Sequence, residues 1–249
     1  MMLNQAAMSK VSNHRVACVT GGAKRIGRAL VLALHQANYN IIIHYHTSES
    51  EAMELVDYCN AIRPQSAKSV QGDLENFETL PQLTWRIINS FGRLDCLVHN
   101  ASRFYPTPFG QISQQDWQNL FLTNAQTPLF ISQYLYPYLK KSQGCIISIL
   151  DIHANGKPFG GYTVYNMAKA AHQMMVQSLA IELAPDIRVN GIAPGINILP
   201  MEGTEQALTA ETIEKICHAV PLKRIGTPQD IAQVAVFLAA APYITGQII

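Results

Sequence analysis

Short apolar runs and longer amphipathic segments alternate along almost the whole chain. Arg15 to Val19 is the first apolar run, and it stops at Thr20-Gly21-Gly22. Apolar residues then recur at helical spacing to about Ala37. Tyr39 to Tyr45 reads as a second strand, Ser50 to Ile62 as a helix, and Ser66 to Val70 as a third strand running into Gly72-Asp73-Leu74. Leu80 to Phe91 is helical, and Gly92-Arg93-Leu94 turns into a fourth strand, Asp95 to Val98. Gln114 to Leu139 reads as one long helical stretch containing Asn124 and Pro128. Proline has no N–H, so Pro128 predicts a kink or a local break there. Cys145 to Leu150 is a buried strand, and Ala168 to Leu183, rich in Ala, Met, Gln and Leu, is a helix. Asp186 to Gly191 gives a sixth strand, closed by Ile192-Ala193-Pro194-Gly195. Thr227-Pro228 caps a final helix, Gln229 to Ala240, and Tyr243 to Ile249 begins a last strand. Ile196 to Glu211 carries no clear period and is expected to cover a substrate.

Strands that alternate with helices predict an α/β fold: a doubly wound, Rossmann-type parallel sheet with helices on both faces. The expected organisation is one domain over residues 15–249 behind a flexible segment, residues 1–14. The 249 residues, 48% apolar and 14% charged, suffice for a full core. A net charge of +1 with no basic stripe argues against a nucleic-acid partner. No apolar run is long enough to span a bilayer. The five cysteines are scattered with no C-x-x-C, so neither a disulfide framework nor a zinc site is expected. Met1 to His14 lacks the apolar core of a secretion signal, and a cytoplasmic location is expected.

The chemistry is concentrated at strand ends. Gly21, Gly22, Ala23, Lys24, Arg25, Ile26 and Gly27 join a strand to a helix start, where backbone N–H groups and the helix dipole can hold a pyrophosphate. The spacing is not G-x-G-x-x-G, since Arg25 stands where many dinucleotide folds have glycine, and ordinary turn chemistry is the competing account. The second strand ends in His44-Tyr45-His46-Thr47-Ser48, without the carboxylate that would repel a ribose 2′-phosphate. With Lys24 and Arg25 nearby, that end favours NADP over NAD, unless the histidines are plain loop residues. Asp73 either faces an adenine or makes an N-cap or Asx turn. Asn124 either faces solvent or holds a water at a carbonyl freed by the proline. Tyr165 and Lys169 are four residues apart, about one helical turn, so phenol and ammonium share a face. The ammonium is expected to lower the phenol pKa. Asp151, just past the fifth strand, is placed to reach the same hydroxyl.

Thr20-Gly21, Ile26-Gly27, Asp73, Asn100-Ala101, Asn124, Tyr165-x-x-x-Lys169 and Pro194-Gly195 occur in an order and spacing that resemble the short-chain dehydrogenase/reductase family. Within it the chain looks like the pteridine reductases. That closer likeness rests on Thr20 to Arg28, on His44-Tyr45-His46-x-Ser48, on Asn100 to Pro108 and on Asp151 through Lys169. Asp151 is its sharpest feature, because ordinary family members use serine there. The resemblance implies Tyr165 as proton donor, Asp151 bonded to it, Lys169 on the nicotinamide ribose and Asn124 in support. It implies Arg25 and Ser102 at cofactor and substrate, and Phe104 stacked on a flat pterin. It also implies NADPH contacts from Gly21, Lys24, Arg25, Ile26, His44, Tyr45, His46, Thr47, Ser48, Asp73, Leu74, Asn100, Ala101, Ser102, Pro194 and Gly195. The expected activity is NADPH-dependent reduction of a dihydropterin such as dihydrobiopterin, dihydromonapterin or dihydrofolate. A homotetramer is the family's habit. Carbonyl reduction of a 3-oxoacyl, sugar or steroid substrate and non-catalytic NADP binding are the rival readings. Three departures accompany the likeness. Thr47 stands where some pteridine reductases are basic, the Asp151-to-Tyr165 interval is one residue longer than usual, and family chains commonly continue past the Thr245-Gly246 position.

Overall fold

The computed structural model describes residues 12–197 and 209–249. Six strands form one parallel sheet: β1 (Val16–Val19), β2 (Asn40–Tyr45), β3 (Ala67–Gln71), β4 (Cys96–His99), β5 (Cys145–Ile149) and β6 (Arg188–Ile192). Their order across the sheet is β3-β2-β1-β4-β5-β6. Every residue of β1, β2, β4 and β5 is buried. That is why these strands read as unbroken apolar runs, since helices close both faces of a parallel sheet.

Alternate residues of each strand serve opposite faces. Ala17, Val19, Ile41, Ile43 and Ile147 pack with α1 (Arg25–Gln36), α2 (Glu49–Ile62) and α8 (Pro228–Ala240). Val16, Cys18, Ile42, Leu97 and Ile146 pack with α3 (Leu80–Phe91), α5 (Thr127–Ser142) and α6 (Thr163–Glu182). Both clusters are almost wholly aliphatic, and each buried Leu or Ile contributes about 1.5–3 kcal/mol. The result is a Rossmann-type α/β fold.

Several boundaries depart from the sequence reading. The stretch from Gln114 is broken into α4 (Gln114–Phe121), a π turn over Leu122–Gln126, and α5. The break precedes Pro128, which falls in the first turn of α5, where a missing N–H costs nothing. Helix α6 begins at Thr163 rather than Ala168, because Thr163 and Val164 are weak helix formers that packing overrides. Thr107 holds this start: its Oγ1 accepts from the Val164 amide at 3.3 Å. A helix unassigned from sequence, α7, spans Ala210–Ala219, capped by Thr209, whose side chain accepts from the Thr212 amide. Most of the segment expected to cover the substrate, residues 198–208, lies outside the described residues, as do residues 1–11 of the N-terminal segment. Ser12 is tied down, its amide donating to the Phe91 carbonyl at 2.9 Å. The expected last strand makes one bridge, Gly191 to Ile248, and no ladder. Gly246, with φ +73°, turns the chain just before it. Thr227 caps α8 as expected, and Asp230 completes a capping box with it. Among the described residues no helix is long and apolar enough to cross a membrane, no cluster of side chains could hold a metal, and the cysteines are free.

Candidate active site

From β1 the chain winds outward to β2 and β3; from β4 it winds the other way to β5 and β6. The loops leaving β1 and β4 therefore diverge and open a crevice at the carboxyl ends of adjacent strands. Thr20 and Asn100 bind the two loops together. Thr20 Oγ1 accepts from the amides of Asn100 and Ala101 at 3.0 and 3.1 Å. Asn100 Nδ2 donates to the Thr20 and Gly21 carbonyls at 2.9 and 3.0 Å. A Cβ on Gly27 would lie 2.1 Å from the Gly21 carbonyl oxygen, so only glycine lets α1 start this close to the turn. Arg25 opens α1 with φ +50°. That conformation costs a non-glycine residue about 1–3 kcal/mol, the kind of strain that collects at functional sites.

The crevice has a volume of about 470 Å³. Gly21, residues 23–27, residues 45–48, residues 100–102, Phe104 and Asn197 line it. Its glycine cradle, the α1 N-terminus and the Lys24, Arg25 and Ser48 rim fit the phosphates of a dinucleotide.

His44, expected at the cofactor, does not line the crevice. His44 is 1% exposed and turned into the fold, not toward the crevice. Its Nδ1 accepts from the Gly21 amide at 3.2 Å, and its Nε2 donates to the Gly72 carbonyl at 3.1 Å. Burial pushes its pKa down to about 4, so it stays neutral and braces the glycine turn. Asp73 and Leu74 are not among the lining residues. Asp73 Oδ1 caps an Asx turn, accepting from the Glu75 amide at 2.9 Å, and the Leu74 carbonyl accepts from Thr127 Oγ1 at 2.7 Å. Lys24 is present at the rim but pairs with Glu51 at 2.6 Å. His46 is about half exposed and lies 3.9 Å from Asp73. The Pro194 carbonyl accepts from the Ile152 amide at 3.2 Å and so fixes the loop after Asp151. The Gly195 carbonyl accepts from Asn197 Nδ2 at 3.0 Å, which turns Asn197 toward the crevice.

The acid end lies past β5. Asp151 leaves the strand in extended backbone and caps a short turn, its Oδ1 accepting from the His153 amide at 2.9 Å. Its Oδ2 accepts from the Tyr165 hydroxyl at 2.7 Å. Tyr165 is 4% exposed. Burial, then the Asp151 charge and hydrogen bond, raise its pKa far above the ordinary phenol range. This corrects the expected direction. Lys169 is 3% exposed, and its Nζ donates to the Ile149 carbonyl at 3.0 Å and lies 5.8 Å from the Tyr165 ring centre. Burial lowers the Lys169 pKa to about 8, against the opposing pull of Asp151. The phenol is thus held protonated, the form a proton donor requires.

Asn124 sits in the π turn, 1% exposed. Its Nδ2 donates to the Leu120 and Arg103 carbonyls at 3.0 and 2.9 Å, and its Oδ1 accepts from Ser102 Oγ at 2.6 Å. This neither faces solvent nor touches Tyr165; it fixes the loop that carries Ser102 and Phe104. Phe104 stacks on Tyr162, with ring centres 4.5 Å apart and planes at 10°, and meets the Tyr165 ring edge-on at 4.8 Å. It remains 53% exposed at the crevice. Sequence reasoning missed Asn197, which sits in an unpatterned stretch, and the bracing roles of Thr20 and Thr107. It also missed a buried histidine layer behind Lys169. Its only signal was imidazole where strand β4 and helix α6 call for apolar side chains.

A family model described as enoyl-(acyl carrier protein) reductase matches residues 21–249. The chain is 35% identical to pteridine reductase 1 of Leishmania tarentolae, over 93% of this chain and 92% of that protein. It is 31% identical to a 3-oxoacyl-acyl-carrier-protein reductase of Staphylococcus epidermidis, over 95% and 96% respectively. A hydroxynaphthalene reductase-like protein of Metarhizium acridum is 28% identical over 94% of this chain and 92% of its own length. A parallel sheet with its crevice at the strand reversal, a buried Tyr165–Lys169 pair and a match over nearly the whole length lead to one assignment: the chain belongs to the short-chain dehydrogenase/reductase family of oxidoreductases.

Proposed function

We propose that the chain reduces a dihydropterin, such as dihydrobiopterin, dihydromonapterin or dihydrofolate, with NADPH. The observation that carries this reading is the 2.7 Å contact between Asp151 and Tyr165 beside an exposed Phe104. The bound cofactor supplies the hydride. The chain's own groups do the rest. Tyr165 donates the proton that a ring nitrogen needs, and Asp151 keeps that phenol protonated and offers an acceptor to an amino-pyrimidine edge. Lys169 holds the ribose side of the site, and Asn124 supports the proton donor by fixing the loop that carries Ser102 and Phe104. Phe104, covered on one side by Tyr162, offers its remaining surface to a flat bicyclic ring. Lys24, Arg25, His46, Thr47 and Ser48 form the 2′-phosphate corner, with no carboxylate on the strand end itself. Asp73, Leu74, Pro194 and Gly195 belong to the proposed cofactor set by family resemblance. The identity to a pteridine reductase supports the reading. We propose with it one domain over residues 15–249, a cytoplasmic location and a homotetramer.

A second reading, reduction of a 3-oxoacyl thioester, is favoured by the relative named for that reaction at 31% identity. Consumption of NADPH with three dihydropterins and one 3-oxoacyl thioester in parallel decides between them. Turnover of a dihydropterin alone supports the proposal, and turnover of the thioester alone replaces it.

A further inference from the structure

The loop that leaves β4 carries Ser102 and Phe104, and both its ends are tied down. Thr20 holds it at Asn100 and Ala101, and at the far end the Thr107 amide donates to the Gly161 carbonyl at 2.7 Å. Between these ties the side chain of Arg103 turns to the loop after β3. Its Nη2 donates to Glu75 Oε2 at 2.6 Å and its Nε donates to Glu75 Oε1, a bidentate pair. Glu75 is itself anchored. Its amide donates to Asp73 Oδ1 at 2.9 Å, and the preceding Leu74 carbonyl accepts from Thr127 Oγ1 at 2.7 Å. Its Oε1 also accepts from Thr123 Oγ1, in the π turn, at 3.1 Å. One carboxylate thus ties together the loop after β3, the loop after β4 and the π turn.

The side chains of Arg103 and Glu75 are 43% and 27% exposed, and neither residue is among those lining the crevice. A pair this exposed contributes little to global stability, so its effect is local. Phe104 is the next residue along the chain, and a fixed Arg103 limits where the Phe104 main chain can lie. The Arg103 carbonyl, which accepts from Asn124 Nδ2 at 2.9 Å, is held at the same point. One face of Phe104 is covered by Tyr162, so the position of its main chain decides where the open face stands in the crevice. We propose that Arg103 and Glu75 are positioning residues, a latch between the loops after β3 and β4 that sets where Phe104 meets the substrate ring. The inference rests on the reading that Phe104 stacks on a dihydropterin. Arg103 and Glu75 act through Phe104 and not on the reacting atoms.

The test opens the latch from either end in the full-length protein. Glu75→Gln deletes the charge and keeps the shape, and Arg103→Met keeps the stem and deletes the guanidinium. Whichever partner is left behind is exposed enough to be hydrated. With a dihydropterin, each variant is expected to raise KM for that substrate about fivefold, with kcat and KM for NADPH within about twofold of wild type. The double variant is expected to be no worse than the singles, since each removes the same tie. An unchanged substrate KM overturns the proposal. So does an equal rise in both KM values, which a general loosening of the fold predicts. Losses that multiply in the double variant, to about 25-fold, also overturn it, since the two residues would then act separately. Crystal structures of the wild type and Glu75→Gln supply a readout that needs no turnover. The wild type is expected to show the bidentate pair, and the variant to show the Phe104 ring displaced from Tyr162 by about 1 Å or more. A wild type without the pair, or a Phe104 in the same place in both, overturns the inference. A chain that turns over no dihydropterin sinks the proposed function, and the position of the Phe104 ring still decides the latch.

Discussion

Removing the Tyr165 hydroxyl tests the hydrogen bond at the centre of the site in two currencies. Tyr165→Phe preserves the ring and its edge contact with Phe104, and deletes only the donor to Asp151 Oδ2. A hydrogen bond to a charged group contributes about 1.5–3 kcal/mol. Tyr165 is fully buried, but Asp151 is of intermediate exposure, so water replaces part of the loss and the low end applies. About 1.5 kcal/mol corresponds to a fall in Tm of roughly 3–6 °C in a chain of this length. Asp151→Ala also strips the cap from the His153 amide, so its single-mutant cost is larger. A double-mutant cycle cancels that cap, because it is lost whichever residue stands at 165. The coupling energy from urea denaturation of the four proteins is expected near 1–2 kcal/mol. NADPH oxidation by Tyr165→Phe is expected to fall at least ~10²-fold, the usual worth of a positioned acid. A coupling energy near zero would refute the contact, and an unchanged rate would remove Tyr165 as the proton donor whatever the coupling.

Three further outcomes follow from the same geometry. Burial sets the Lys169 pKa at about 8, below its ordinary value, so the ammonium is present below that pH and lost above it. kcat/KM is therefore expected to decline as pH rises through about 8, and Lys169→Met, with its much lower rate, should show no such limb. Glu51 ties the ammonium of Lys24, a residue lining the crevice, at 2.6 Å. Glu51→Gln is expected to tighten NADPH severalfold at low salt and to leave NADH unchanged, measured by fluorescence titration; equal effects on both cofactors would place the pair elsewhere. His44→Leu strands the Gly21 amide and the Gly72 carbonyl, at about 1–3 kcal/mol each, and should weaken NADPH and NADH alike, whereas His46→Ala should weaken NADPH alone.

What the sequence disclosed was whatever is written along a single element. The alternation of apolar runs and helical periods gave the parallel sheet, because strands buried on both faces admit nothing but apolar side chains. The spacing of Tyr165 and Lys169 gave a shared helix face, and the end of an apolar run placed Asp151 beside them. The errors arose wherever the outcome depends on what closes over a residue from elsewhere. His44 lies on β2 and His46 just past its end, two residues on and so on the same face if the alternation continued, yet one is buried under the glycine turn and the other stands at the rim. The phenol of Tyr165 has a lysine four residues on, which argues for a lowered pKa. Dehydration and a carboxylate fourteen residues back in sequence outweigh it. The same burial that raises the phenol pKa lowers that of Lys169, since each loses water in its charged form. Asp151 acts on the two charges in opposite senses: it repels a phenolate and attracts an ammonium. A serine at 151 would lack both effects and leave the phenol easier to ionise. The aspartate therefore keeps the phenol in its protonated form, the state from which a proton donor must start, while making it the weaker acid.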